Sequence, residues 1–494
     1  MNSHSKNNSL TLTLGFLIVY AVLLIKTAWI SDDAAITLRT VLNFINGFGP
    51  NFNFDERVQA YTHPLWFLLV SLFSFITGNV FITVFMLQIT MSVITLGLLV
   101  RFLSPSMFLS VMAVSIFIFS KAYLDFSTSG LENSLSHLLI VLALVFSKRR
   151  IFFLFYGLLY LSRPDLPLIL APLALFLWFK SSQRWTSLGL VILPGLIWTL
   201  FSLIYYGFPF PTPAYAKLAS GTPQLEITIQ GIAYLFNSLS VDAITIPVIF
   251  MGILFGLGGN KKEFAMALGV LIYSAYIVWI GGDFMSGRFF TAPLLISVII
   301  LISHHGSQKK YFKFGLALSI AMLCVLNAPS TLLTNYNFKD RNFSPWGIAD
   351  ERGFYFQNSG FMVTPIAFYS NKDYLKNTTH AIEPKSAAIG YEGISGGPFL
   401  HIIDLCGLTD PLLARFPAAY DRKWRIGHFK RRLPDDYINS IKGDKNNFND
   451  IAMQKYYDAI RSVTRGDIFK RERFENIAKL NLGLIEKPAA YAHH

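Results

Sequence analysis

Carboxylates and arginines recur in this chain at the ends of apolar runs, where they can do chemistry as well as solvate a loop. The first group is Asp32-Asp33, in WISDDAAITLR, directly after the first apolar run. Two adjacent carboxylates at a membrane face can ligate a divalent cation, or one can take the proton of an acceptor hydroxyl. They can equally cap the helix that ITLRTVLNFI suggests, because acids favour a helix N-terminus. Arg39 follows nearly two helical turns later and can face the same cleft, where a guanidinium suits bidentate binding of a phosphate. The rest of that loop, NGFGPNFNFDERVQAYTHPLW (46–66), brings Tyr61 and His63. Rings and hydroxyls near a carboxylate suit a sugar, or they form an aromatic belt at the membrane surface.

Four further segments carry the same residue types. In STSGLEN (127–133), Glu132 either caps the apolar run that follows or lines a polar cleft. In SRPD (162–165), Arg163 and Asp165 either pair with each other or bind substrate. GGDFMSGRFFTAP (281–293) is more specific than an isolated charge. Its glycines permit close backbone approach, so Asp283 can accept from a sugar hydroxyl while Arg288 meets a phosphate. Late in the chain stand GYEGISG (390–396), HIIDLCGLTD (401–410) with Asp404 and Asp410, and IGHFKRRLPDD (426–436) with His428.

The elements that must position these residues follow from composition. The chain has 494 residues, 53% of them hydrophobic and only 14% charged. Soluble domains carry about a quarter charged residues, so this composition means many membrane spans and not one anchor. The net charge of +13 does not indicate nucleic acid, because no basic run has the interleaved aromatics or fold context that binding would need. Two distant cysteines, Cys324 and Cys406, give neither metal spacing nor a disulfide framework.

Apolar runs fall at 11–30, 80–100, 105–120, 133–147, 151–162, 166–179, 187–204, 243–258, 264–280, 291–303 and 312–327, about eleven in all. The run 63–77 could cross the membrane or lie in the interface, and charge decides. With 63–77 interfacial and the N-terminus inside, inner segments hold twelve Lys and Arg and outer loops six, as the positive-inside rule requires. The same topology puts ten of the eleven acids before residue 328 outside. We therefore expect a polytopic α-helical membrane protein: a membrane domain over 1–327, an outer loop with interfacial helices over 31–79, and an extracytoplasmic α/β domain over 328–494. HIIDL (401–405) reads as a short buried strand of that domain.

WISDDAAITLR, AYTHPLW, TSGLE, RPD, GDFMSGRF and DLCGLTD, in this order, resemble the membrane arabinofuranosyltransferases of the mycobacterial type, in the GT-C class of glycosyltransferases. The resemblance covers about residues 11–432. It implies a polyprenyl-phosphate sugar as donor, no nucleotide sugar, and catalytic acids after the first span. By position these are Asp32 and Asp33, which would also be the ligands of any divalent cation. Arg39, Arg163 and Arg288 would hold the donor phosphate. Asp283 and Glu132 would line the sugar pocket. Tyr61, His63, Asp165, Asp404, Asp410 and His428 complete the set of sugar- or acceptor-binding candidates. The sequence departs from the pattern at His63, where a serine is expected, and its richness in Lys, Phe, Ile and Asn differs from mycobacterial chains. It points to another bacterial host, whose inner membrane would carry the protein with the N-terminus cytoplasmic and the C-terminal domain periplasmic. Related Gram-negative enzymes glycosylate type IV pilins, so pilin and lipopolysaccharide join wall glycan as expected acceptors.

Other classes predict other patterns. A transporter of lipid or sugar would place ionisable groups near the bilayer midplane, in paired inverted halves. Here the acids lie at span ends and no inverted halves are visible. A lipid-linked oligosaccharide ligase shares the same logic and differs in its donor. A non-catalytic scaffold would leave Asp32, Asp33 and Arg288 free to change.

Overall fold

The computed structural model describes residues 3–303, 319–324, 331–332, 344–363, 371–378, 380–419, 421 and 424–488, with the side chains of 3–13 left aside. It is mostly helical. In chain order the helices are α1 (Ser3–Thr27), α2 (Asp32–Ile45), α3 (Pro64–Thr77), α4 (Val80–Leu98), α5 (Met107–Phe119), α6 (Lys121–Phe126), α7 (Asn133–Val145), α8 (Ile151–Ser162) and α9 (Pro167–Lys180). There follow α10 (Arg184–Tyr205), α11 (Thr212–Leu218), α12 (Gln224–Val241), α13 (Thr245–Leu257), α14 (Lys261–Trp279), α15 (Thr291–Ser303) and α16 (Glu351–Ser359). Last come α17 (Asn371–Tyr374), α18 (Ile389–Ser395), α19 (Tyr437–Lys442), α20 (Ile451–Arg465) and α21 (Arg471–Asn481). Strands β1 (Ala381–Lys385) and β2 (Leu400–Asp404) pair in parallel, with Ala381 opposite Leu400 and Lys385 opposite Asp404.

Among the described residues three helices are long and apolar enough to cross a membrane alone: Val80–Leu103, Arg184–Tyr205 and Lys261–Trp279. The expectation of about eleven spans rests partly on shorter helices: α5, α7, α8, α9 and Arg288–Ser303 have 10–17 residues, as does α3, the interfacial candidate outside that number. At 1.5 Å per residue these reach roughly 15–25 Å, less than the ~30 Å hydrocarbon core. α3, α5, α7, α8 and α9 each end in a turn or loop before they are long enough. The expected run at 312–327 lies outside the described residues except for 319–324, which are helical.

The chain divides into two compact units: Met1–Ser31 with Val84–Pro194 and Gln224–Pro365, and Asp32–Thr83 with Gly195–Pro223 and Ile366–His494. The boundary expected at 327/328 therefore falls inside the first unit, and the loop 31–79 folds almost entirely with the C-terminal segment in the second.

The first unit is a helix assembly with close backbone approaches. Gly269 of α14 lies against the Ile169 carbonyl of α9, and Gly231 of α12 against the Val278 carbonyl of α14. A Cβ at either glycine would overlap that backbone, the small-residue packing that membrane helices use where lipid supplies no hydrophobic drive.

The second unit has a water-excluded core. Tyr456, Tyr457, Ile460 and Val463 of α20 pack with Ile403, Leu412, Leu413, Phe416 and Tyr437. Their spacing along α20 makes one apolar helical face, and the Asp450 side chain caps its start by accepting from the Met453 N–H. A second cluster joins Ile36 of α2 and Phe52 to Ile389 of α18 and Leu400 and Ile402 of β2. Every residue of β2 is buried, as the run HIIDL suggests. Asn53 extends the sheet by side chain: its amide accepts from the Ile402 N–H and donates to the Ile402 carbonyl, both at 3.0 Å.

Candidate active site

Asp32 and Asp33 open α2 as the acids of its first turn. Both carboxylates are half-buried, while the ten residues from Ala34 to Asn43 are all buried. The GYEGISG segment forms α18 and lies directly on α2. Gly390 meets the Asp32 carbonyl and Gly393 meets the Arg39 side chain, so a Cβ at either would overlap. The close approach lets the Tyr391 N–H donate to Asp32 Oδ1 at 2.9 Å. Burial of the carboxyl outweighs that bond and a second from the Gly390 N–H; with the charges of Asp33 and Asp404 it pushes the Asp32 pKa up to about 7. A carboxylate poised there is suited to take a proton near neutral pH.

Arg39 lies on α2 with the two acids. It is wholly buried, Nη2 donates to the Leu400 carbonyl, and the guanidinium stacks over the Phe52 ring at 4.4 Å. It clamps α2 to β2 through the Leu400 carbonyl. Tyr61 is also internal: its hydroxyl bonds the Tyr206 hydroxyl at 2.9 Å and its ring stacks on Phe67 at 4.3 Å. His63 precedes α3, with Nε2 2.8 Å from Thr37 Oγ1 of α2, which joins those two helices.

Asp404 and Asp410 hold turns. Asp404 accepts from the Cys406, Leu408 and Thr409 N–H groups, and burial still raises its pKa to about 6. Asp410 accepts from the Leu412 and Leu413 N–H groups and from the Tyr437 hydroxyl. Burial, with the charge of Glu56, lifts it to about 7. His428 is half-buried, and desolvation with the nearby Arg425 lowers its pKa to about 3, so it is neutral at physiological pH.

Sequence reading missed one polar group of this unit. Asp55 bonds His401 Nδ1 at 2.9 Å and Arg465 at 3.0 Å, and Glu56 meets Arg465 at 3.4 Å. Burial alone would raise Asp55, but His401 and Arg465 hold it down at about 2. The partners are some 350 and 410 residues away in sequence, so no local spacing signals them.

The first unit brings together five of the expected residues. Glu132 precedes α7 and is fully buried. Arg288 Nη2 lies 3.2 Å from Glu132 and Nη1 3.4 Å from Asp283. Arg163, at the end of α8, pairs with Asp165 at 2.6 Å and lies 3.6 Å from Glu132. Tyr273 of α14 donates to Asp165 and accepts from Arg163. The Phe289 ring lies 4.3 Å from the Arg163 guanidinium and 5.8 Å from that of Arg288. The glycines of GGDFMSGRF are needed in place: Gly282 and Gly287 have φ of +69° and +75°, and a Cβ on Gly282 would strike the Tyr234 ring. Two guanidiniums face three carboxylates, so these five groups hold no surplus positive charge. A second buried group, absent from the sequence reading as a cluster, ties Lys121 to Asp125 (2.6 Å) and Asp350 (3.1 Å), with Arg352 3.6 Å from Asp125.

Among the described residues no three His, Cys, Asp or Glu side chains gather as metal ligands. A cation on Asp32 and Asp33 would take its other ligands from substrate or water.

No protein-family model matches the chain. Among curated proteins, it is 27% identical to the terminal β-(1→2)-arabinofuranosyltransferase of Mycobacterium tuberculosis, over 82% of this chain and 81% of that protein. It is 30% identical to the terminal β-(1→2)-arabinofuranosyltransferase of Corynebacterium glutamicum, over 54% of this chain and 46% of that protein. The resemblance carried by the motif string is borne out: the chain is a homologue of these arabinofuranosyltransferases.

Proposed function

We propose that this protein is a GT-C-class glycosyltransferase that moves a sugar, arabinofuranose, from a polyprenyl-phosphate donor to a cell-envelope acceptor at the outer face of the bacterial inner membrane. The observation that carries the proposal is Asp32. It is a half-buried carboxyl beside a second acid, with a pKa of about 7, in a chain homologous to glycosyltransferases. In the proposed step an acceptor hydroxyl oxygen attacks the anomeric carbon and its proton passes to Asp32. The anomeric C–O bond breaks and the polyprenyl phosphate leaves with the bonding electrons. Asp33 orients the acceptor and stabilises the oxocarbenium-like centre.

The leaving phosphate calls for positive charge. The resemblance gives that role to Arg39, Arg163 and Arg288, of which the last two have carboxylates as present partners. A lipid-borne leaving group needs no nucleotide-binding loop. Wall glycan, lipopolysaccharide or a pilin would serve as acceptor.

The test supplies labelled polyprenyl-phosphoarabinose, or the same lipid bearing another sugar, to the purified protein in lipid nanodiscs with host membrane extract. The proposal expects arabinose label in an envelope acceptor. Consumption only of a lipid-linked oligosaccharide would make the protein a ligase, and consumption of no lipid-linked sugar would remove the transferase reading.

A further inference from the structure

The C-terminal helix α21 is fastened to the end of a membrane-length helix. α10 has 22 residues, about 33 Å at 1.5 Å per residue, enough to cross a ~30 Å hydrocarbon core. Only 11% of its most apolar window is buried within the protein, and its last turns expose Leu196, Ile197, Leu200 and Ile204. That surface is suited to lipid. A helix end leaves carbonyls without intrahelical partners, and here Arg473 of α21 supplies them. Its Nη1 donates to the Ile204 carbonyl and its Nη2 to the Tyr205 carbonyl, each at 2.8 Å. Asn481 donates to the Gly207 carbonyl at 2.8 Å, and Ile477 packs over Gly207, where a Cβ would come within 3.2 Å of it. Arg473 is fully buried by these contacts.

The outer face of α21 carries Arg471, Glu472, Glu475 and Lys479, and large apolar side chains stand exposed on both of its flanks. Phe469 is 84% exposed, Leu482 72% and Leu484 69%. The side chains of Lys470 and Arg471 stand out beside them, 61% and 94% exposed, each paired with an exposed glutamate, Glu472 at 3.2 Å and Glu475 at 3.0 Å. Large apolar side chains exposed at both ends of one short helix mark a surface that meets something. Lys and Arg at such a place can lay their stems on apolar surface and keep their charges among headgroups.

We propose that α21, with Phe469, Leu482 and Leu484, is an interfacial anchor that lies in the headgroup region of the bilayer around the end of α10. The occupant follows from continuity. The exposed stripe of α10 ends at Ile204, and the carbonyl of that residue is bonded by α21. The anchor fixes the second unit against the membrane surface from which a lipid-borne substrate would be drawn, and it stands whether or not the transferase reading does.

The test uses the full chain in phosphatidylcholine–phosphatidylglycerol nanodiscs, in a Cys324→Ser background that leaves only the buried Cys406. Spin labels are placed through Phe469→Cys, Leu482→Cys and Leu484→Cys in turn. Lys376→Cys is the water-facing control, its side chain being 75% exposed. Because the replaced side chains are exposed, the variants keep the wild-type fold. The anchor predicts a several-fold higher ratio of collisions with oxygen to collisions with a water-soluble nickel chelate at 469, 482 and 484 than at 376. A ratio equal to the control at all three sites would overturn it, as would labels shielded from both reagents, which would point to a protein partner.

Discussion

At Asp32 two effects oppose each other. Backbone N–H groups from α18 favour the charged carboxylate, while burial and the neighbouring acids disfavour it, and burial wins. A base must be ionised to accept a proton, so the transfer rate should fall about tenfold per pH unit below about 7 and level off above it. A pH–rate profile of the wild type checks this. The same shift has a stability consequence. The folded protein holds this proton more tightly than the unfolded chain, so Asp32 adds stability below pH 3.8 that is lost as pH rises through about 7. Asp32→Asn should therefore raise the thermal midpoint at pH 8 while losing transfer. Asp55 runs the other way: held at about 2, it adds stability above pH 3.8 that is lost as pH falls through about 2. Asp55→Asn should cost roughly 1–3 kcal/mol at pH 7 by leaving His401 and Arg465 short of a charged partner. Thermal unfolding followed in detergent reads both. Arg39→Lys tests whether that residue holds structure or phosphate. A clamp to β2 predicts a lowered midpoint with an unchanged donor KM in the protein that stays folded.

Helix α18 depends on two glycines because it sits so close to α2. Gly390→Ala and Gly393→Ala each put a Cβ into α2, one at the Asp32 carbonyl and one at Arg39. Such overpacking costs roughly 1–3 kcal/mol, and it should remove the Tyr391 N–H from Asp32. The expected readout is an acid limb of the pH–rate profile moved to higher pH, since Asp32 loses a bond that favours its charged form. What was legible beforehand follows the range of each interaction. The strand at 400–404 and the helix after Asp32-Asp33 showed as local patterns of apolar residues and caps. The turn roles of Asp404 and Asp410 were also local, since their partners are backbone N–H groups within five residues. DLCG and LTDP carried that signal, as an Asp ahead of glycine or proline reads as a turn. The burial of Arg39 was not legible, because Leu400 lies 361 positions away. The ion pairs of Arg288 with Glu132 span 156 positions, although the residue types themselves had marked out both members.

Over the whole molecule, hydropathy announced a membrane protein, and the three membrane-length apolar helices among the described residues agree with it. The division into units was not readable from composition, because the second unit is assembled from three separated stretches. The charge bias predicts sidedness. A single cysteine replacing Arg149 should react with an impermeant reagent only after the membrane is opened, and one replacing Lys445 should react before. The reverse pattern would invert the topology on which an outer-face reaction depends. The most direct measurement is transfer itself: label moved from polyprenyl-phosphoarabinose to an envelope acceptor by wild type, Asp32→Asn and Asp33→Asn in nanodiscs, with donor binding measured on the same samples. The account predicts transfer by wild type and a loss of about 10²–10⁴-fold for Asp32→Asn with donor binding kept. Undiminished transfer by both Asn variants would contradict it.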